Sequence, residues 1–472
     1  MSYFITDLPP EIIFQYALSL PLKDLSHLCQ TNRQLNQLIC HDDYFWRQKF
    51  YRDYMHLDYH GNWKTLYATF LNVWAFGSNK KGQLGLGDNL DRWEPTLLTN
   101  FKVKQICAAT DFSVFLDLDN NVLTTGSNEW GQLGLGNNNT VNILTLSLFP
   151  KAQFISASYH YTMIIDFNNQ VWGCGLNLFG QLGLGHNETS VYTPTVIPDI
   201  KARMVSAGAY HSLIIDLDNN VWVCGSGESG KLGLNVTDNI YVPTLIPDIK
   251  AKFVAAGYTN SAIIDLNDNV WMFGDNSSGQ LGLGDIISRR VPTLLPGIKA
   301  KQIALGEKHT MLIDLNNDLW GFGTNYNGQL GLGDIGTQTV PKQIPTGKVQ
   351  QVAAGMIHSA LIDFENNILT TGWGDTGKLG LGKSYDQYQL GATHNKYQFT
   401  PIPNYKAAKV SVGNSHTLMI ATNVTLSQPS TQQSFKRKNL TPKTLTRNSP
   451  TPKSPSYLRR LFNSLNPLGW YR

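Results

Sequence analysis

The sequence predicts a mainly β protein: a seven-bladed β-propeller closed by pairing of its N- and C-terminal strands, preceded by a small all-α module and followed by a disordered tail. Three observations predict it. The hexapeptide GQLGLG begins at Gly82, Gly131, Gly180, Gly279 and Gly328, with the variants GKLGLN at Gly230 and GKLGLG at Gly377, so successive spacings are 49, 49, 50, 49, 49 and 49 residues. A fixed period of this size marks a repeat architecture. Between the markers a second pattern recurs, as in VSAGAYHSLIIDLDNNVWVCG from Val205 to Gly225, where two runs rich in β-branched and aromatic residues flank a polar segment; that is a β-hairpin. Finally, one hairpin is split between the two ends of the repeat region.

Residues 1–50 come first and have a different texture. Apolar positions recur at helical spacing over Pro10 to Leu20, Leu22 to Cys29 and Arg33 to Ile39, interrupted at Pro21 and at Thr31-Asn32. A unit of this size buries little by itself, and residues 51–72 read as a helical linker. Six continuous hairpins follow, with second strands beginning near Val122, Val171, Val221, Val270, Leu319 and Ile368. Val73-Trp74-Ala75-Phe76-Gly77 has a second-strand sequence with no first strand before it. Ser415-His416-Thr417-Leu418-Met419-Ile420 has a first-strand sequence with nothing after it. Their pairing completes the seventh blade of the domain, 73–421, and leaves no open sheet edge. Asn in the DLDNN-type segments suits the left-handed backbone of a tight turn.

Composition narrows the class. Five cysteines, Cys29, Cys40, Cys107, Cys174 and Cys224, form no CxxC pair, which signals neither a disulfide framework nor a zinc cluster and suits a reducing compartment. The N-terminus lacks a basic stretch followed by an apolar one, and no run reaches the length of a membrane span. A soluble protein of the cytoplasm, the nucleus or both is expected, with no membrane partner. The net charge is +4, but residues 423–472 carry nine Lys or Arg and no acid, leaving 29 − 34 = −5 for the rest. A mildly acidic body offers little to DNA phosphates, which disfavours nucleic acid as a partner.

WGxNxxGQLGLG and AAGxxHSxxID, present here as VWGCGLNLFGQLGLG and VAAGMIHSALID, are similar to the signature of regulator-of-chromosome-condensation repeats, over residues 73 to about 421. The resemblance implies a seven-bladed propeller. That family includes an exchange factor for Ran-type small GTPases and many members that use the ring as a binding platform, so the fold leaves function open. Its GTPase-active members rely on an inserted wedge-like hairpin, for which repeats of 49 or 50 residues leave no obvious room.

The N-terminal run Leu8-Pro9-Pro10-Glu11-Ile12-Ile13, followed by Leu25, Leu28-Cys29, Asn32-Arg33, Leu38-Ile39 and Asp43-Tyr44-Phe45-Trp46, resembles an F-box. Asn62 to Tyr67 looks like the Trp-containing helix that often follows one. The resemblance implies docking on the Skp-type adaptor of a cullin-RING ubiquitin ligase, with Leu8, Pro9, Glu11, Ile12, Ile13, Leu25 and Leu28 as contact residues and Trp46 closing the face. The alternative is that these side chains form a private three-helix core.

Catalytic chemistry is not signalled, and no cofactor, metal or enzyme activity is expected. The Gly-rich motifs lack the Lys-Ser/Thr of a phosphate loop and recur seven times, as scaffold does. His160, His211, His309, His358 and His416 recur at the start of first strands, with Phe112 and Asn260 at the equivalent places, and read as a structural hydrogen-bonding position. Asp166, Asp216, Asp265, Asp314 and Asp363 end those strands and read as turn caps. His56 and His60 have metal-ligand spacing but no third ligand.

Departures from the repeat carry the functional signal. From Gly382 to Gly413 is 31 positions, against 22 from Gly333 to Gly355. The longer connection holds Tyr385, Tyr388, His394, Tyr397 and Phe399, residue types that make binding hot spots, and reads either as a target-binding loop or as a decorative one. Trp93, Trp130, Phe179, Tyr326 and Trp373 flank the Gly-rich turns and can line one rim or pack between blades. The tail, 422–472, is rich in Ser, Thr, Pro and Lys and reads as disordered. It carries proline-directed phosphorylation candidates at Thr441, Ser449, Thr451 and Ser454, and Lys436-Arg437-Lys438 as a possible part of a nuclear import signal. Arg459, Leu461 and Phe462, in Arg-Arg-Leu-Phe, resemble a cyclin-docking motif. The function expected is a ligase substrate receptor whose propeller binds an unknown target protein; the alternatives are an exchange factor with a small GTPase partner and a scaffold outside any ligase.

Overall fold

The hairpin turn shows how the repeat builds its strands. His211–Asp216 and Asn220–Gly225 pair antiparallel, with Ile214 opposite Trp222 and His211 opposite Gly225. Asn219 takes φ +67° at the turn, the left-handed region that Asn tolerates. The Asp216 carboxylate accepts the backbone N–H of Asp218 at 2.9 Å and of Asn220 at 2.8 Å, and Nε1–H of Trp222 at 2.8 Å. Burial alone pushes this carboxyl up; the hydrogen bonds from Trp222 and Asn220 outweigh it and hold it below the ordinary value. Asp166, Asp265, Asp314 and Asp363 accept the same two backbone N–H groups, so these aspartates are the turn caps expected of them.

The structure is a computed structural model, and it describes residues 14, 17–18, 39, 41–53, 72–383 and 394–423. Among them almost all regular structure is β. Long strands knit successive repeats together. Within Ser190–Ala207, the stretch 190–201 pairs with Gln170–Leu176, while 202–207 pairs with His211–Asp216. The chain changes partner at a bend where Asp199 takes φ +58°, as a bulge does. Ile240–Ala256, Arg289–Leu305 and Lys396–Val412 repeat the device, with positive φ at Asp248, Gly297 and Asn404.

The two ends of the domain meet. Asn72–Gly77 pairs antiparallel with His416–Asn423, Trp74 opposite Met419 and Ala75 opposite Leu418. Alternation then places Val73 and Ala75 in one buried cluster with Leu418 and Ile420, and Phe76 in the next with Met419 and Ile402. The indole of Trp74 donates to the carbonyl of Ala421 at 3.0 Å. The ladder is not continuous elsewhere, however. The strands fall into a 10-stranded and a 13-stranded sheet, because two long strands are broken. One break separates Val141–Leu146 from Ala152–Ser158, where Pro150 removes a donor; the other separates Gln338–Gln343 from Val349–Ala354. The expectation of a sheet without edges therefore holds at the joined ends and not at these two linkers.

The core is a series of clusters, each straddling successive repeats, rather than one mass. One joins Tyr161, Met163 and Val171 to Val205 and Ile214 of the next repeat. Gly180, at φ +79°, shows how closely repeats approach: a Cβ there would lie 2.8 Å from Cα of Tyr241, so only Gly fits.

In the N-terminal module, the helix Asp43–Asp53 starts at Asp42, whose Oδ1 accepts the N–H of Tyr44 at 2.8 Å. Phe45 and Trp46 are buried and edge-on to each other, with ring centroids 5.5 Å apart; Phe14 meets Phe45 at 5.2 Å. Lys49 is buried and donates to the carbonyl of Leu18 at 2.9 Å. Among the described residues no helix is long and apolar enough to cross a membrane.

Phe76 is wholly buried where the two ends of the domain join. Phe76→Ala is expected to lower stability by about 3–5 kcal/mol, read from urea unfolding followed by tryptophan fluorescence. A loss near zero would show that this junction is not part of the cooperative core.

Candidate functional site

Strand register first revises one reading of the sequence. Gly175 faces Tyr161, as Gly225 faces His211, so Tyr161 holds the repeated position and His160 stands one residue before it. The seven equivalents are Phe112, Tyr161, His211, Asn260, His309, His358 and His416. The histidines among them form a relay from repeat to repeat. Nε2 of His211 meets Oγ of Ser261 at 2.7 Å, and His309 meets Ser359 at 2.9 Å. His358 meets Thr417 at 3.1 Å, and His416 meets Ser113 at 2.8 Å, linking the last repeat to the first.

Each hydroxyl in turn donates to a carbonyl of a Gly-rich turn: Ser261 to Lys231, Ser359 to Gln329, Thr417 to Lys378, Ser113 to Gln83. A hydroxyl whose proton is so committed accepts from the imidazole, which assigns the proton to Nε2. Tyr161 takes the same place, its hydroxyl 2.9 Å from Oγ of Ser212. Burial pushes His309 down to about 4 and His416 to about 3, and holds His211 and His358 well below the ordinary value. Burial thus favours the neutral form of these rings, which act as hydrogen-bonding struts between repeats.

Just before those strands, the turn segments 108–110, 158–159, 256–258, 305–307, 354–356 and 412–414 face one cavity of about 70 Å³. Backbone bonds tie neighbouring turns, Ala209 N–H to Gly257 O at 3.1 Å and Asn414 N–H to Ala109 O at 3.3 Å. On one side of this mouth the variable turn residues are aromatic. Tyr159, Tyr210 and Tyr258 pack with centroids 4.8, 5.5 and 6.1 Å apart. Phe179 joins at 5.1 Å from Tyr210, and His160 stacks 4.2 Å from Tyr159 and 6.2 Å from Trp130. All are half-buried, and Tyr159 takes φ +39°, an uncommon backbone for a bulky residue. Burial raises the hydroxyl of Tyr210 well above its ordinary value and that of Tyr258 to about 12, so both stay neutral hydrogen-bonding groups.

The long connection resolves differently from its reading as one loop. Tyr385 and Tyr388 lie outside the described residues. Tyr397 and Phe399 are not loop residues: Lys396 pairs with Gly372, so the strand Lys396–Val412 has already begun. Tyr397 lies over Gly328 as Tyr241 lies over Gly180, and Phe399 packs on the cluster of Leu330 and Leu361. Among the described residues of this connection, His394 keeps a place off the strand, 5.0 Å from the ring of Trp93 and 3.8 Å from Asp375. Of the other rim aromatics, Tyr326 is 68% and Trp373 38% exposed. Leu8, Pro9, Glu11, Ile12, Ile13, Leu25, Leu28, His56 and His60, and the tail candidates Thr441, Ser449, Thr451, Ser454, Arg459, Leu461 and Phe462, lie outside the described residues. Trp46 is 4% exposed and packs inside the helical module. Among the described residues no cluster of three His, Cys, Asp or Glu side chains can hold a metal.

Repeats of paired strands around one cavity define a propeller-type scaffold that presents turns at its mouth. The model of the RCC1-like domain matches residues 61–299, just over half of the chain, and RCC1 repeat models match 300–329 and 316–362. The chain belongs to the RCC1-like domain family, and an F-box-like domain occupies residues 5–52. Among solved structures, it is similar to human WBSCR16 (TM-score 0.67, 19% identity, 75% of this chain and 99% of that one). It is also similar to Prp20p from Saccharomyces cerevisiae (TM-score 0.65, 20% identity, 81% and 95%). The yeast RCC1 (Prp20) bound to Kap60 matches with a TM-score of 0.65, 20% identity and coverage of 76% and 90%. No curated relative matches the chain by sequence.

The relay makes stability pH-dependent. An unfolded histidine takes up a proton below about 6.5, whereas folded His309 resists until about 4, so the unfolded state binds more protons in between. Stability is therefore expected to fall on acidification across that window, by ~1.4 kcal/mol per pH unit for each such histidine. His309→Asn, which copies the residue at Asn260, should remove one histidine's share of the slope in urea midpoints measured at pH 7, 6 and 5; an unchanged slope would place the proton uptake elsewhere.

Proposed function

We propose that this chain is the substrate-receptor subunit of a Skp-cullin-F-box type ubiquitin ligase. The observation that carries this reading is the succession, in one chain, of an F-box-like domain at 5–52 and an RCC1-like domain from residue 61. The helical module docks on the Skp-type adaptor through Leu8, Pro9, Glu11, Ile12, Ile13, Leu25 and Leu28. The repeats make seven blades in a closed ring; the pairing of Asn72–Gly77 with His416–Asn423 and the histidine relay that reaches Ser113 support closure. The half-buried aromatic sector of Tyr159, Tyr210, Tyr258 and Phe179 holds the target protein, since such side chains contribute large contact area at low entropic cost.

The chain performs no chemistry of its own. It raises the target's effective concentration beside the ligase's catalytic partner, and orients it. Its place of action is the cytoplasm, the nucleus or both. Leu8→Asp combined with Ile12→Asp is expected to reduce co-purification of the adaptor at least tenfold (about 1.4 kcal/mol or more) while the circular dichroism of the propeller stays unchanged. Undiminished co-purification would remove the docking face from the proposal.

A second reading, an exchange factor for a small GTPase, draws on the likeness to Prp20p, whose structure was reported with binding properties to Gsp1p and histones. It requires that the purified chain accelerate nucleotide release from a Ran-type GTPase well above the intrinsic rate. A chain that neither does so nor binds the adaptor would be a scaffold outside any ligase.

A further inference from the structure

In five of the Gly-rich motifs the second residue is Gln, whose Oε1 accepts the backbone N–H two residues earlier, as Gln83 does from Lys81 at 2.9 Å and Gln329 from Asn327 at 3.0 Å. In two motifs it is lysine. Lys231 is 1% exposed, and Glu228, three residues before it, reaches it with an ion pair at 3.7 Å. Lys378 is 4% exposed and has Asp375 at the corresponding place. Aspartate is one methylene shorter, and Asp375 lies instead 3.8 Å from Nδ1 of His394. Lys378 Nζ sits 5.0 Å from the ring centre of Trp373 and has no hydrogen-bond or ion-pair acceptor among the described residues.

Asp375, whose charge Lys378 also feels, adjoins a side chain with an orphaned polar atom. Nε2 of His394 is buried without a partner. Trp93 covers the His394 ring at 5.0 Å, and Lys383 Nζ lies 5.6 Å from the Trp93 ring. The backbones converge here: Gly377 abuts Arg92 and Trp93, and Gly374 abuts His394. Trp373 is 38% exposed, so the corner borders solvent. An ammonium on a largely buried side chain with no acid close enough for an ion pair is costly, and burial pushes Lys378 down to about 8 against the pull of Asp375. An arriving anion would supply the missing partner.

We propose that this corner binds an anionic group, a carboxylate or a phosphate, carried by the protein target of the propeller, with Lys378 as the charged donor and His394 Nε2 as the second. Trp373 and Trp93 form its walls. His394 then has Asp375 on its Nδ1 side and the anion on its Nε2 side. The identity of the carrier rests on the substrate-receptor reading; the anion site itself does not.

The test uses the full chain and blocked pentapeptides of alanine with a central phosphoserine, glutamate or glutamine. Binding is followed by tryptophan fluorescence and by mass-spectrometric protection of Lys378 from amine labelling. Saturable binding of the phosphoserine or the glutamate peptide, but not of the glutamine peptide, is expected, and which of the two binds identifies the source of the charge. Lys378→Gln should weaken that binding at least tenfold. This variant installs the residue that five other motifs carry, so the scaffold accommodates it. Lys231→Gln, whose lysine already has Glu228, should leave binding unchanged. Equal binding by Lys378→Gln, an equal response to the glutamine peptide, or no saturable binding at all would overturn the site. Adaptor co-purification distinguishes the two proposals: Lys378→Gln should leave it intact, and loss of the adaptor face should leave peptide binding intact.

Discussion

A repeat in this chain has two open sides, and its apolar residues are covered only when a neighbour packs on each. Tyr161 and Met163 are buried by side chains of the following repeat, Val205 and Ile214, and the same holds along the domain. Such a design is stable internally and vulnerable at its ends. Here the ends meet each other. Val73 and Ala75, from the first strand of the domain, share a buried cluster with Leu418 and Ile420 from the last. The price of this device is a long loop closure between positions more than three hundred residues apart, which the two clusters on either side of Trp74 must offset.

Polar groups near the cavity obey the same neighbour-to-neighbour rule. A histidine of one repeat meets a hydroxyl of the next, and the hydroxyl's proton goes to a Gly-rich turn. Because each link satisfies groups on two repeats, the relay couples the inner strands to the Gly-rich turns. The turns at the mouth, which carry none of these links, can then vary without loss of the frame. Tyr159 and Tyr258 occupy a position where other repeats have Thr110, Ala209, Glu307, Met356 or Asn414, and Tyr210 occupies the next one, where others have Asp111, His160, Thr259, Lys308, Ile357 or Ser415; it is at such positions that recognition can be written on a regular scaffold.

How far the sequence could be read follows from the range of each interaction. The hairpins, the Asp caps and the left-handed Asn residues depend on contacts within about five positions, and all were legible from the period alone. The pairing of the chain ends was legible too, since a lone second strand and a lone first strand imply each other. His160 is drawn into the histidine series by its residue type alone: in Ala157-Ser158-Tyr159-His160-Tyr161, with Ser158 where other repeats have Gly, the spacing of AAGxxH already puts tyrosine at the histidine's place and His160 one residue before it. Tyr397 and Phe399 were read as loop because the longer spacing after Gly382 does not say where the extra residues end; the pairing of Lys396 with Gly372 does.

The tyrosine sector and the Lys378 corner had only a faint signal in the sequence. Three tyrosines in variable turn positions, and lysine in place of glutamine, are visible there, but their partners are not. The amino-acid order by itself determined the repeat, the turns, the face of each strand that is buried and the two end strands that belong together, because these follow from local geometry and alternation. Only the tertiary structure decided that Tyr159, Tyr210 and Tyr258 touch, that the ladder breaks at two linkers, and that Asp375 turns to His394 while Lys378 goes without an acceptor. These depend on the angle between one repeat and the next, and on differences of a single methylene in reach.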